Sequence, residues 1–223
     1  MEKPILRIEG VKKRQGGGFS LDIPRLEFQK GGAYSITGPN GSGKTTLLNI
    51  LNLLERPDDG DIFFYEGKVT TFNSLDIRRK MGMVMENPYL FHTTVYKNMA
   101  LGLKCRFVDR MIWKSQVEEA LRMVGLRDFE KRYAPDLSRG ESQRVAIARI
   151  LAFRPEVLFL DEPFSNIDRK HVNLLEGLIK AIIEKYQTTV IFTTHDLAQA
   201  QRLADETISL MDGRIVAEPI GGA

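Results

Sequence analysis

The sequence is short of several things, and each shortage removes a class of protein. Cysteine occurs once, at Cys105, so no intrachain disulfide can form and the chain suits a reducing compartment. A lone cysteine of this kind is expected to be a small buried apolar residue rather than a reactive thiol. No run of about 18 apolar residues occurs, so no segment is expected to span a membrane. The stretch MEKPILRIEG lacks the long apolar core of a secretory signal. Charge of one sign is scarce as well. The 32 basic and 29 acidic residues leave a net charge of +3, too small to make nucleic acid the main partner. Together these shortages predict a cytoplasmic protein, free to dock onto a membrane protein.

What remains is 223 residues, 43% hydrophobic and 27% charged, enough for one large α/β domain or one domain with a smaller lobe. The most informative stretch is Gly38-Pro39-Asn40-Gly41-Ser42-Gly43-Lys44-Thr45, continued by Thr46. It follows a short apolar run, Ala33–Thr37, and precedes a helical pattern carrying Leu47, Leu48, Ile50, Leu51 and Leu54. That is the phosphate loop, G-x-x-x-x-G-K-[ST], between a strand and a helix. Glycines let the backbone curl around phosphate oxygens, and the exposed N–H groups and the helix N-terminus face the anion. Lys44 supplies a charge for the β and γ phosphates, and the Thr45 hydroxyl is placed to ligate Mg²⁺. The expected ligand is a nucleoside triphosphate.

Around the loop the chain reads as strands followed by strand–helix units. Ile5, Leu6, Ile8 and Val11 open a strand, Gly16-Gly17-Gly18 turns it, and Phe19, Leu21 and Ile23 alternate with polar residues. Such alternation predicts an antiparallel sheet with one exposed face. Further strands are expected at Asp61–Tyr65 and at Met81–Met85, where Met81, Met83 and Met85 share one face as core filler. From about Thr93 to Tyr133 the pattern is helical, with Gly125 ending one helix and Lys104, Arg106, Arg110 and Lys114 read as a solvated face. A mostly apolar helix is expected at 141–154 and a buried parallel strand at Val157–Leu160. An amphipathic helix carrying Val172 to Tyr186, a central strand at Thr189–Thr194, a helix at Ala198–Ala204 and a hairpin turning at Asp212-Gly213 complete the chain. This is an α/β fold with ligands at the carboxyl edge of a parallel sheet.

Two carboxylates end the buried strand. Asp161 there can hold Mg²⁺ through its hydration shell, and Glu162 is a candidate general base for a lytic water.

The stretch Leu137-Ser138-Arg139-Gly140-Glu141-Ser142-Gln143-Arg144-Val145-Ala146-Ile147-Ala148-Arg149 resembles the LSGGQxQRVAIAR signature of the ATP-binding cassette (ABC) family. Asp161-Glu162-Pro163-Phe164-Ser165-Asn166-Ile167-Asp168 is similar to that family's second motif and D-loop, and Thr193-Thr194-His195-Asp196 to its switch-histidine strand end. The resemblance implies a phosphate-loop NTPase core, an antiparallel β lobe and a small helical lobe near 93–140, all in one domain spanning 1–223. It implies head-to-tail pairing of two copies, ATP lying between the phosphate loop of one and the signature of the other. Ser138, Gly140 and Glu141 would then meet the γ-phosphate, His195 would contact it or the lytic water, and Asp168 would reach across the pair. Ser138-x-x-Glu141 is also a capping box, and Asp168 could equally cap the helix that follows.

Three positions depart from the family pattern. Glu86 stands where the family has a metal-ligating Gln, and remains a candidate Mg²⁺ ligand that adds negative charge. Arg139 and Glu141 replace Gly and Gln in the signature, with Arg139 the expected offset for Glu141. The aromatic residue that stacks on adenine is missing near Arg14, leaving Phe19 or Arg14 itself as substitutes. Asn87–Phe91 and Thr94–Ala100 resemble the importer segment that receives a permease, so transmembrane permease subunits are expected partners on the inner face of the membrane. The sequence also leaves open a non-import task such as lipoprotein release or cell division, and a weakly active nucleotide sensor. A looser similarity at Leu51–Pro57 suggests tungstate, molybdate or phosphate as the solute.

Overall fold

The computed structural model describes residues 3–165 and 169–216. The chain starts with β1 (Leu6–Arg14), a short turn at Gly16–Gly18 and β2 (Ser20–Phe28), then enters β3 (Ala33–Thr37) and α1 (Lys44–Leu51). Next come β4 (Asp59–Phe64), β5 (Gly67–Lys68), α2 (Ser74–Arg79) and β6 (Met81–Val84). The helical segment holds α3 (Val95–Lys104), α4 (Trp113–Met123) and α5 (Arg139–Leu151). The chain then returns through β7 (Val157–Leu160), α6 (Arg169–Tyr186), β8 (Thr189–Thr194), α7 (Leu197–Leu203), β9 (Glu206–Met211) and β10 (Arg214–Val216).

Two sheets result. One is antiparallel, in the order β2-β1-β4-β5. Residues of β1 and β2 alternate between buried and exposed, as the period-two pattern requires of a sheet with one wet face. The other runs β10-β9-β3-β8-β7-β6, parallel from β9 through β6, with only β10 antiparallel. All residues of β3, β7 and β8 are buried. Their faces divide cleanly between two cores. Leu158, Leu160, Val190 and Phe192 pack with the helical segment, and Val157, Phe159 and Ile191 pack with α1 and the antiparallel sheet. A continuous apolar run is what a strand covered on both faces needs.

Gly125, at φ +70, ends the helical run after α4. α5 is buried over much of its surface, as its apolar circumference predicts, but starts earlier than expected because Ser138 caps it. Four details differ from the sequence reading. Met85 lies beyond β6 and is 58% exposed, so only Met81 and Met83 serve the core. Tyr65 leaves β4 at φ +53. Cys105 is exposed, because α3 ends at Lys104 and the following turn faces outward. Arg106 is no solvated cation. Its guanidinium lies 3.4 Å from the centre of the Phe153 ring and donates to the carbonyls of Arg79, Met81 and Gly102. Burial lowers its pKa to about 10, which still leaves it charged at neutral pH. The short elements β5 and α2 had no clear periodic signal.

Candidate nucleotide site

The phosphate loop turns at the carboxyl end of β3 and feeds α1, so its amides and the helix N-terminus face one cleft. Gly38 is required by backbone contact as well as by conformation, and Gly43 by conformation with the tip of a side chain close by. A Cβ on Gly38 (φ +151) would sit 2.1 Å from the Leu210 carbonyl oxygen, and one on Gly43 (φ +102) would sit 2.6 Å from Phe19 Cζ. Lys44 is buried, and its Nζ donates to the carbonyls of Gly38 at 2.9 Å and Pro39 at 3.2 Å. The ammonium is thereby curled over its own loop.

β7 delivers the two carboxylates beside it. Asp161 is 7% exposed and bracketed by hydroxyls: Thr45 Oγ1 donates to Oδ2 at 3.0 Å, and Thr193 Oγ1 to Oδ1 at 2.8 Å. The Thr193 hydroxyl also accepts from the Glu162 N–H at 2.7 Å. Glu162 adopts φ +45, a left-handed conformation that disfavours a side chain and persists only where surrounding contacts fix it. Its Oε1 lies 3.8 Å from Lys44 Nζ and its Oε2 lies 3.2 Å from His195 Nδ1. A carboxylate only accepts, so this His195 bond requires the proton on Nδ1. His195 is held by its neighbours: Thr194 Oγ1 donates to Gln199 Oε1, and Asp196 caps α7 by accepting from the Gln199 N–H.

A cleft of about 430 Å³ is lined by Gln15, Phe19, Asn40, Gly41, Gly43, Lys44, Thr45, Thr46, Glu86 and Glu162. Pro39 and Ser42 stand in the same loop. Glu86 reaches the cleft but is tied to Ser165, whose Oγ donates to Glu86 Oε1 at 3.3 Å.

The signature residues Ser138, Gly140 and Glu141 do not line this cleft; they form the N-terminus of α5. The capping box is complete, the Ser138 N–H donating to Glu141 Oε2 at 2.8 Å and the Glu141 N–H to Ser138 Oγ at 3.3 Å. Arg132 Nη1 donates to Glu141 Oε1 at 3.0 Å, whereas Arg139 turns to Asn87 Oδ1. The offset for Glu141 is therefore Arg132, contrary to the expectation for Arg139, because residues two positions apart on a helix do not face each other. The Ser138 amide, followed by the Ser138 hydroxyl and Arg132, holds the Glu141 carboxyl below its ordinary range. Arg14 is exposed, and its backbone N–H goes to Asp58. Asp168 lies outside the described residues.

Sequence reasoning missed Gln15 and gave Thr193 no role. Gln143 was missed too: it is buried and donates to the Pro163 carbonyl at 2.6 Å, tying α5 to the Glu162 turn. The docking stretch is half core and half surface. Leu90 packs inward, while Tyr89 and Phe91 are exposed with ring centroids 5.4 Å apart. Buried Asn98 clamps the Phe91 backbone from both sides.

A phosphate loop opening a helix at the edge of a parallel sheet, facing a strand-end carboxylate pair, defines a phosphate-loop nucleoside triphosphatase. Residues 21–165 match the ABC transporter family, and the chain belongs to it. It is an ATP-binding, ATP-hydrolysing cassette. Over 94% of its length it is 41% identical to the probable sulfate/thiosulfate import ATP-binding protein CysA of Chlorella vulgaris, covering 88% of that protein. Over the same share it is 36% identical to the tungstate uptake system ATP-binding protein TupC of Peptoclostridium acidaminophilum, covering 96%. Some relatives are longer: the chain spans 60% of the CysA of Bacillus cereus. Among solved structures, a dimeric ATP-binding cassette in a post-hydrolysis state with ADP and Pi is 30% identical. It has a TM-score of 0.83, with 98% of this chain and all of that one covered. Among the described residues no helix is long and apolar enough to cross a membrane.

Proposed function

We propose that this chain hydrolyses ATP to power import of an inorganic oxyanion through separate permease subunits, acting as one cassette domain with a helical lobe near 93–140. Lys44 and the loop amides of residues 40–46 hold the phosphates, Glu162 takes the proton of the attacking water, and His195 holds Glu162 or the γ-phosphate. The supporting observation is the convergence of Lys44, Glu162 and the Thr45–Asp161 pair on one cleft, within 3.8 Å at its widest contact. Relatives named for sulfate, thiosulfate and tungstate support the oxyanion class, against two at 35% identity that are named for Fe(3+).

The donor set fits Mg²⁺. Thr45 offers a hydroxyl, Asp161 and Glu86 offer hard carboxylate oxygens, and no group of three or more His, Cys, Asp or Glu among the described residues forms a metal cage by itself. That suits an ion which keeps waters and shares ligands with phosphate. Bound there, Mg²⁺ would neutralise charge developing on the phosphate oxygens.

Because Ser138, Gly140 and Glu141 stand away from the cleft, they serve the site of a second copy in a head-to-tail pair, with Asp168 contributing across it. The pair works in the cytoplasm on the inner membrane face, with Tyr89 and Phe91 on the docking surface. Phosphate release from ATP and Mg²⁺ tests the hydrolytic part, with Lys44→Ala as control: wild-type turnover that vanishes in the variant is expected, and equal rates would refute it. Uptake of labelled sulfate or tungstate by cells carrying the Lys44→Ala chain should fall to background, and unchanged uptake of both would refute the oxyanion assignment.

A further inference from the structure

We propose that Arg139 is a positioning residue for Glu86: acting through Asn87, it sets how the Glu86 carboxylate meets the divalent cation of the bound nucleotide. This rests on the nucleotide reading above. The stretch from Glu86 to Phe91 lies between β6 and α3 and belongs to no helix or strand, so side chains from elsewhere must fix it. Among the described residues four do so. Asn98 grips Phe91, and Arg149 Nη1 donates to the Tyr89 carbonyl at 3.1 Å. Arg139 Nη2 donates to Asn87 Oδ1 at 3.2 Å, and Ser165 Oγ donates to Glu86 Oε1 at 3.3 Å.

Only the last two act at Glu86 or beside it, and a metal ion affects them differently. A hard cation seeks carboxylate oxygens, so at Glu86 it competes with Ser165 for the same group. The Arg139 bond ends on the neighbouring side chain and survives when Glu86 turns to the metal. Pro88 restricts Asn87 to extended backbone, so a fixed Asn87 side chain fixes the direction from which Glu86 enters the cleft. A carboxylate needs that hold more than a neutral ligand does. The triphosphate repels its charge, and without a tether the exposed side chain would swing toward solvent. Arg139 has no competing duty at the helix start, since Arg132 meets Glu141 and Asn87 Oδ1 is the one acceptor bonded to Arg139 among the described residues.

Calorimetric titration of the full chain with the non-hydrolysable ATP analogue AMP-PNP, with and without Mg²⁺, tests this. The readout is the factor by which Mg²⁺ tightens binding. Arg139→Ala is expected to lower that factor about fivefold, the worth of one hydrogen bond, and to leave affinity without Mg²⁺ within about twofold of wild type. Asn87→Ala should do the same, and the double variant no more than either alone, since both remove one bond. In a Glu86→Gln background, where no charge is repelled, Arg139→Ala should change the factor by less than about twofold. An unchanged factor in Arg139→Ala would overturn the proposal. Equal weakening with and without Mg²⁺, the mark of an arginine that touches phosphate directly, would overturn it too, as would losses that multiply in the double variant. Wild type that bound no AMP-PNP would instead sink the nucleotide reading, and this one with it. Thermal melts of each variant without nucleotide, expected to match wild type, separate a binding loss from a folding loss.

Discussion

Glu162→Gln is the substitution whose consequences are most fully determined by the geometry. The change keeps the volume and the left-handed backbone at φ +45 but removes one negative charge and the ability to take a proton. Glu162 Oε1 lies 3.8 Å from Lys44 Nζ, with side-chain exposures of 17% and 8%. At about 4 Å and an effective dielectric near 20, such a pair attracts by about 4 kcal/mol. A triphosphate must displace the carboxylate as the partner of Lys44 and also tolerate its charge. If only a quarter of that attraction, about 1 kcal/mol, appears in binding, ATP affinity rises about fivefold in the variant. Turnover goes the other way, since loss of a positioned base typically costs about 10² to 10⁴ in rate. The neutral side chain still reaches His195, so the fold around β8 is expected to hold.

Three measurements read these outcomes separately. Phosphate release should fall by at least about a hundredfold, calorimetry should show tighter ATP, and size exclusion with ATP and Mg²⁺ should show a dimer that persists. Turnover within threefold of wild type would remove Glu162 as the base. Weaker ATP binding would mean that the carboxylate does not compete for Lys44. A monomer under saturating ATP would refute the head-to-tail pair.

Other perturbations probe the surroundings. Glu86→Gln should leave hydrolysis intact or faster, because it removes a charge from the cleft while keeping an oxygen ligand, and a collapse of phosphate release would reveal a specific role for the carboxylate. Thr193→Val deletes the donor to Asp161 and the acceptor for the Glu162 N–H in a fully buried position. It should cost about 2 kcal/mol in urea unfolding, and a loss under about 0.5 kcal/mol would contradict the bracketing of Asp161. Glu119 joins α4 to α6 by accepting from Lys185 and Tyr186, and also from Arg154; the Lys185 bond leads in lowering its pKa from 4.5 to about 2. A depressed carboxylate contributes stability above pH 4.5 that disappears as pH falls toward 2. Glu119 is one-fifth exposed, but its partners Arg154 and Lys185 are about half exposed, and screening there leaves about 1 kcal/mol. Glu119→Gln should thus melt below wild type at pH 7 and together with it near pH 2, and parallel melting curves at both pH values would refute the pairing.

How much of this was legible in the sequence depended on whether the information was contiguous. The phosphate loop, the Asp161-Glu162 pair and the β8 end are each a few adjacent residues on one element, and the structure brings them to one sheet edge. The continuous apolarity of Val157–Leu160 likewise accounts for its burial on both faces. What pairs across distance was not legible. Arg132 rather than Arg139 meets Glu141 because the segment before α5 returns over its N-terminus. Arg106 has an aliphatic stem long enough to lie buried over Phe153 while its charge finds three carbonyls, so a charged run did not mean a wet face. Gln15 lies 31 positions from Thr46, and no pattern in its neighbourhood announces that contact.

The same long-range contacts explain why the carboxylates and the signature helix form one device. Glu162 is the middle of a short turn held at both flanks: Thr193 fixes its amide, and Gln143 of α5 fixes the next carbonyl, that of Pro163. Three residues on, Ser165 is bonded to Glu86, which follows β6. A shift of α5 by even 1 Å must stretch the 2.6 Å Gln143–Pro163 bond or drag the turn with it, and the left-handed backbone at Glu162 has little freedom to absorb the strain. The position of Glu162 is therefore set jointly by the parallel sheet, which supplies Asp161 and Thr193, and by the helical segment, which supplies Gln143. In the head-to-tail pair proposed above, α5 would also carry the residues that meet the other copy's nucleotide. Contact at one site would in this way bear mechanically on the base of the other, without any residue lying in both clefts.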